Sequence, residues 1–436
     1  MTLEWYWLAL ILVVLLSFAL ATGMPAAFAM GLTSAVFMIL FLGPAHLIQI
    51  ANIAYARGTD DLFIVAPLFV LMASLAAYSG VAEAAYNAAT RWFNRVPGSL
   101  AVSSTAACTA FAAVSGSAVA TAVTIGLFAI PEMIKKGYDK RLAVGSVAAA
   151  GTLGILIPPS ISMIIFGIIT ETSIGQLFIA GIIPGIITST MIMAYTVLLA
   201  RFKPQLAPRA GAFTWKERFS SLRSIWGIMV LFALVMGSMY TGAATPTEAA
   251  AVGATGAFLL MALNRQISRS RLAEALIRSA QTTAMVTFLL VGGFVLSYVV
   301  ARAGIAHGLS RVLVESGLKP WMVIVAYNLL LILLGTALET STIIVITMPI
   351  LFPTFKAMGF DPLWLGVLTT INSEIGTISP PAGLVLFSMK SVTPPEVTMS
   401  DIMWGVTPYC FVLTASLILM MIFPSLSTWL PSLMAR

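Results

Sequence analysis

The chain contains the same unit twice. Displaced by 222 residues, Pro131, Gly137, Asp139, Gly154, Pro158 and Pro159 fall on Pro353, Gly359, Asp361, Gly376, Pro380 and Pro381 without a gap. The same displacement puts Ala27, Ala29, Gly31, Thr33 and Ala35 on Ala249, Ala251, Gly253, Thr255 and Ala257. Displacements of 223 or 224 pair Pro97 with Pro320, Gly80 with Gly304, Gly181 with Gly405 and Pro184 with Pro408. Alanine matches arise easily in such a sequence, whereas Gly and Pro mark special backbone positions and match by chance far less often. The fold must therefore be built from two related halves, 1–200 and 224–436. A polar linker, 201–223, with Pro204, Pro208 and six basic residues, joins them.

The solvent of these halves is lipid. Apolar residues make up 59% of the 436, charged residues only 9%, and mean hydropathy is +1.00; soluble domains carry about 25% charged residues. Apolar stretches such as 5–20, 224–239 and 283–301 approach the ~20 residues that a bilayer-crossing helix needs. The net charge of +7 resides in short loops, where the positive-inside rule accounts for it without a nucleic-acid partner. Ala19-Leu20-Ala21 resembles a signal-peptide cleavage site, but Glu4 is the only charge before Arg57, so 5–20 reads as a retained helix. Cys108 and Cys410 lie inside apolar runs and read as small buried hydrophobes.

Each half reads alike. Two spanning helices (5–22 and 26–43; 225–242 and 247–263) precede a third (62–79; 280–300). An amphipathic segment follows (81–96; 304–318), too polar to span and suited to the interface. A broken hairpin and two further helices complete the unit. If the hairpin enters and leaves on one side, each half crosses five times, and an odd number inverts the second copy. With the N-terminus outside, 17 of the 23 Lys and Arg lie in the cytoplasm; the outside set is Arg57, Arg302, Arg311, Lys319, Lys356 and Arg436. The expected fold is thus an all-α integral membrane protein with an inverted repeat, two re-entrant hairpins and two broken spanning helices, an architecture of secondary transporters.

The best-matched regions are those least suited to continuous helix: 113–118 and 151–160 in the first half, 335–342 and 372–381 in the second. A Pro-Pro pair removes two backbone donors, so the helix must open there. The released carbonyls cannot face lipid, where each unsatisfied group costs several kcal/mol. Together with Ser and Thr hydroxyls they form an uncharged oxygen cage fit for Na⁺, while opened helix N-termini suit an anion. The competing reading, that Gly and Ser merely permit close helix packing, covers single residues better than two matched pairs. The expected substrate or cation cavity includes Ser117, Thr152, Glu339, Ser341, Glu374 and Ser379. Glu339 and Glu374 are read at the second hairpin tip and the second break, where an ionised acid needs a cavity or a partner; their repeat mates are Ser117 and Thr152. Glu171 and Glu248 are read as residues near helix ends. His46 and His307 are far apart, and no Walker A loop or nucleophile triad occurs. Transport driven by an ion gradient is what remains. Two sodium ions entering with a monoanion would gain about 2.3 kcal/mol per 100 mV.

Ser115-Gly116-Ser117 followed by Gly154-Ile155-Leu156-Ile157-Pro158-Pro159-Ser160 resembles the first half of the large membrane subunit of TRAP (tripartite ATP-independent periplasmic) transporters. Asn372-Ser373-Glu374-Ile375-Gly376 with Ser379-Pro380-Pro381-Ala382-Gly383 resembles the second half. The family often has Thr where Ser379 stands and Asp near Glu339. The resemblance implies sodium sites at Ser115, Gly154, Leu156 and Pro159, and at Thr340, Gly376, Ile378 and Pro381. It further implies a small four-helix membrane subunit, here expected as a separate chain, and a periplasmic substrate-binding protein. The implied cargo is a small organic acid such as a C4-dicarboxylate or sialic acid. The implied setting is the bacterial inner membrane with both termini periplasmic, and the implied motion is that of a rigid elevator. A stand-alone ion-coupled anion symporter or a Na⁺/H⁺ antiporter would use the same broken helices. A membrane enzyme or a passive channel fits the repeated, His- and Cys-free breaks less well.

Overall fold

The computed structural model describes residues 4–208, 213–381 and 383–434. Arg209 and Arg436 of the charge tally, and Ala382 of the second Pro-Pro motif, lie outside the described residues. The described chain is helical throughout, without strands. The first half supplies α1 (Trp5–Ala21), α2 (Ala26–Phe37), α3 (Ile48–Gly58), α4 (Leu62–Tyr78) and α5 (Val81–Phe93). It continues with α6 (Ser99–Ser115), α7 (Ala118–Lys135), α8 (Lys140–Leu156), α9 (Ile161–Thr170) and α10 (Ile174–Phe202). The second half supplies α11 (Trp215–Tyr240), α12 (Pro246–Leu263), α13 (Arg269–Arg302), α14 (Ile305–Glu315) and α15 (Pro320–Gly335). After these come α16 (Thr340–Ala357), α17 (Pro362–Ile378), α18 (Leu384–Lys390), α19 (Met399–Ile422) and α20 (Ser425–Ser432).

The matched residues of the repeat do matching work. Gly137 and Gly359, at φ +82 and +80, reverse the chain after α7 and α16, a conformation that a side chain would strain. Two residues later Asp139 and Asp361 cap α8 and α17. The Asp139 carboxylate accepts from the N–H groups of Arg141 and Leu142, and that of Asp361 from Leu363 and Trp364. Replacing either Asp by Ala should destabilise its half by about 1 kcal/mol. A thermal scan of the two single variants checks this; equal stability to the parent would refute the capping role.

Helices pack reciprocally across the halves. The α2–α13 contact has its repeat-related partner in α4–α12, α1–α14 in α5–α11, α8–α19 in α10–α17, and α9–α16 in α7–α18. The mates α8 and α17 also touch each other directly. Thr152 Oγ1 lies 3.5 Å from Glu374 Oε2, and these two residues are themselves 222 apart. Repeat-related residues thus meet at the α8–α17 seam, and residues 142–160 and 364–378 are buried.

Three expectations change. The stretch 48–58, which lies between the expected spans 26–43 and 62–79, is helix α3, bent by 60° from α4. Its repeat counterpart lies within the continuous 34-residue α13, because nothing in the second copy matches the Thr59-Asp60-Asp61 turn. The polar linker 201–223 is helical at both ends: α10 runs to Phe202 and α11 starts at Trp215. Within it, Arg218 is buried and its guanidinium donates to Asn94 Oδ1 at 2.6 Å. Finally, the breaks are shorter than expected. Helix α8 continues through Gly151 to Leu156, and α17 through Asn372 to Ile378. Ser341 and Thr342 are the second and third residues of α16.

By length and composition, eight helices among the described residues can cross a bilayer, or nine if the bent segment 44–78 counts as one span.

Candidate functional site

The first break is set by two missing donors. In a helix the carbonyls of Gly154 and Ile155 would bond the N–H groups of residues 158 and 159, which are prolines. Helix α8 therefore ends at Leu156. The hydroxyl of Ser160 donates to the Ile155 carbonyl at 2.5 Å and accepts from Met163 N–H, starting α9. The other side of the site is the turn between α6 and α7. Gly116, at φ +66, closes α6, and Ser117 caps α7 by accepting from Ala120 N–H.

Turn and break meet. Ile161 N–H donates to the Gly116 carbonyl at 3.4 Å. A Cβ on Gly116 would stand 2.9 Å from the Pro159 carbonyl oxygen. One on Gly154 would stand 2.4 Å from the Ser117 carbonyl oxygen and 2.5 Å from Thr121 Oγ1. Thr121 Oγ1 in turn donates to Ser115 Oγ at 2.9 Å. The structure thus brings Ser115, Gly154 and Pro159 into one oxygen-rich cluster, whereas Leu156, fully buried, has its carbonyl oxygen 2.5 Å from where a Cβ on Gly181 would stand. Thr121 belongs to that cluster and was missed; its only sequence signal was its place one turn after Ser117. Gly151 has the other role weighed for glycine. A Cβ there would meet the Cβ of Ala122 at 2.3 Å, so it permits α7 and α8 to pack.

The second break follows the same rule with a different finish. Pro380 and Pro381 deprive the carbonyls of Gly376 and Thr377 of helical donors, and Ser379 N–H bonds Gly376 O at 3.1 Å instead. Both Pro-Pro peptide bonds are cis. Gly376 packs on Gly335 at the end of α15, where a Cβ would stand 2.5 Å from the Gly335 Cα. Ile378 is buried with Cys410 Sγ 3.9 Å from its carbonyl oxygen, whereas Pro381 is exposed. Residues 151–160 are buried without exception, so the two breaks are unequal. Ser379 Oγ donates back to Ile375 O at 2.6 Å.

A cavity of about 80 Å³ lies between the halves. Gly116, Ser117 and Ser162 line it from the first half, Glu339, Thr340, Ser341 and Thr377 from the second. Thr282 and Met285 of α13 close one wall. One water needs roughly 10–15 Å³ by this kind of measure, so several fit. Glu339 is its only carboxylate among the described residues, with Ser341 Oγ donating to Glu339 Oε1 at 3.0 Å. Ser117 and Glu339, repeat mates, face the same space.

Thr152, Glu374 and Ser379 do not line this cavity. Glu374 lies inside α17, a turn before the break, fully buried. One oxygen meets Thr152 and the other has no partner among the described residues. The expectation that it stands at the break is corrected. Helix α17 stays regular until its carbonyls meet Pro380, and that places Glu374 on the inter-repeat seam.

A multi-pass helical protein whose two halves share a cavity has the build of a membrane transporter, and this chain is a transporter rather than an enzyme. Residues 12–426 match the family model described as Tripartite ATP-independent periplasmic transporter, DctM component, and the chain belongs to that family. It is 35% identical to the C4-dicarboxylate TRAP transporter large permease protein of Pseudomonas aeruginosa, over 92% of this chain and 93% of that one. It is 32% identical to the sialic acid TRAP transporter large permease protein of Vibrio cholerae, over 95% and 96%. With the ectoine TRAP transporter large permease protein of Halomonas elongata it shares 30%, over 92% and 93%. In fold it is similar to the YdaH transporter of Alcanivorax borkumensis, with TM-score 0.64, 14% identity and 91% of both chains covered.

Proposed function

We propose that the chain is the large transmembrane subunit of a sodium-coupled symporter. In this reading it imports a small organic acid handed over by a periplasmic binding protein, together with a small four-helix membrane subunit. The relatives' C4-dicarboxylate and sialic acid substrates support a carboxylate cargo. The observation that carries the reading is the shared cavity, lined by both hairpin turns and the ends of both broken helices.

Sodium is held in two repeat-related places. Ser115, Gly154, Leu156 and Pro159 make the first; Thr340, Gly376, Ile378 and Pro381 make the second. Carbonyl and hydroxyl oxygens dominate both, which favours a hard monovalent cation over a softer one. The anion sits between them, where α7 and α16 point their N-termini at the cavity. The second half is inverted relative to the first, with the basic loops in the cytoplasm and both termini in the periplasm of an inner membrane. The hairpins and broken helices travel together against α1, α2, α4, α5 and α11–α14. The reciprocal packing of the halves supports this division.

Ser115→Ala and Thr340→Ala should each raise the sodium concentration for half-maximal uptake by roughly three- to tenfold, the loss of one oxygen ligand. Membrane insertion should be unaffected. Uptake into proteoliposomes of the assembled transporter measures this; unchanged sodium dependence in both variants sinks the site assignment.

A further inference from the structure

The repeat is broken where α4 and α13 meet the hairpins. Helix α13 packs directly on α16 of the second hairpin, so closely that a Cβ on Gly293 would stand 2.0 Å from Val345 Cγ1. The repeat-related place, between α4 and α7, is open. A cavity of about 490 Å³ fills it, walled by α4, α7 and the third and fourth turns of α13. This space shares Ser117, Val119, Ile161 and Thr282 with the central cavity. It has the volume of a small-molecule pocket, and it opens on one side of the site only.

One charged residue lines it among the described residues, Arg278. It stands one turn before Thr282 on α13, exposed, with its guanidinium carbon 5.8 Å from the centre of the Tyr78 ring. It forms no ion pair among the described residues. Glu274, a further turn back, also lies beside Tyr78 but does not line the cavity. The repeat mate of Arg278 is Ala56, so the charge belongs to this side alone. A cation focused by low-dielectric walls attracts anions strongly, and a planar guanidinium pairs with a carboxylate in two parallel bonds.

Resting on the carrier reading above, we propose that Arg278 is a substrate contact on the release path. A small carboxylate leaving the central cavity passes into the α4–α7–α13 vestibule and pairs there with the guanidinium. Arg278 sits on the side with most of the basic loops, so the contact forms at the cytoplasmic face. It sets the affinity for substrate on that face and leaves the binding of sodium untouched.

Two measurements on the assembled transporter test this. In a Cys410→Ala background, Thr282→Cys is labelled with an anionic sulfonatoethyl and a cationic trimethylammonioethyl methanethiosulfonate. Arg278→Gln should lower the anionic-to-cationic rate ratio roughly tenfold, and Arg278→Lys should restore most of it. An unchanged ratio overturns the proposal without any appeal to transport. In counterflow with succinate or sialic acid, Arg278→Gln should raise the half-saturating concentration on the cytoplasmic side about tenfold. Half-saturation for sodium should stay within twofold. A cytoplasmic half-saturation that does not move, or one that moves in step with sodium's, overturns the substrate contact. If the parent protein carries neither acid with sodium, the carrier reading fails with it, and the thiol ratio tells the two failures apart.

Discussion

Gly154→Ala should leave the protein in the membrane and raise the sodium concentration for half-maximal uptake tenfold or more. The added methyl would stand 2.4 Å from the Ser117 carbonyl oxygen and 2.5 Å from Thr121 Oγ1. Carbon does not approach oxygen within 3 Å, so either α8 or the turn at Gly116-Ser117 must move by more than half an ångström. Helix α8 carries Gly154 and Leu156 of the proposed first sodium site, and Ser115 of that site directly precedes the turn. Overpacking of this kind destabilises by about 1–3 kcal/mol, and about 1.4 kcal/mol is tenfold in affinity. Gly31→Ala and Gly237→Ala are the matched controls, since both glycines are helical and a Cβ on either meets nothing within 4 Å. Their sodium dependence should equal that of the parent. If Gly154→Ala behaves like these controls, the first site is not where α8 ends.

Gly145→Val should instead abolish the folded protein. Helices α8 and α19 touch backbone to backbone: a Cβ on Gly145 would lie 2.1 Å from the Gly405 carbonyl oxygen, and one on Gly405 would lie 2.3 Å from that of Arg141. Neither obstacle is a flexible side chain, so a branched residue forces the helices apart. Small residues at such crossings let backbones approach and gain dispersion contacts. The seam is also fastened at its end, where Arg141 Nε lies 3.3 Å from Asp401 Oδ1 and Lys140 Nζ donates to the Glu396 carbonyl at 2.8 Å. Destabilisation of about 3–5 kcal/mol is expected, seen as loss of the monodisperse peak on gel filtration in detergent. Gly237→Val, facing open space on α11, should elute as the parent does. A well-behaved Gly145→Val protein would mean that α8 and α19 are not in contact.

Relatives and fold agree on the broader identity, and their agreement bears on different residues. Family membership rests on nearly the whole chain. The likeness to the Alcanivorax borkumensis transporter at 14% identity concerns the arrangement of helices alone. The sodium and substrate assignments stand on the oxygen cluster around Ser115, the shared cavity, and the variants proposed above.

The sequence by itself determined what depends on neighbours along the chain. The turns that the structure shows at Gly137 and Gly359 and the caps at Asp139 and Asp361 are of this local kind, since they involve backbone conformation and a carboxylate two residues from bare N–H groups. Pro158-Pro159 and Pro380-Pro381 had to end a helix, because proline carries no donor. Matching of those residues across 222 positions made the twofold build legible before any helix was placed. Only the tertiary structure decided what depends on distance between helices. Gly151 packs whereas Gly154 borders the oxygen cluster, although the two are three residues apart in one motif, because they face Ala122 and Ser117 respectively. Glu374 met its own repeat mate, Thr152, and left Glu339 as the acid of the central cavity. The vestibule opened beside α4 and not beside α16, since a duplicated sequence fixes which helices recur but not how closely each pair packs.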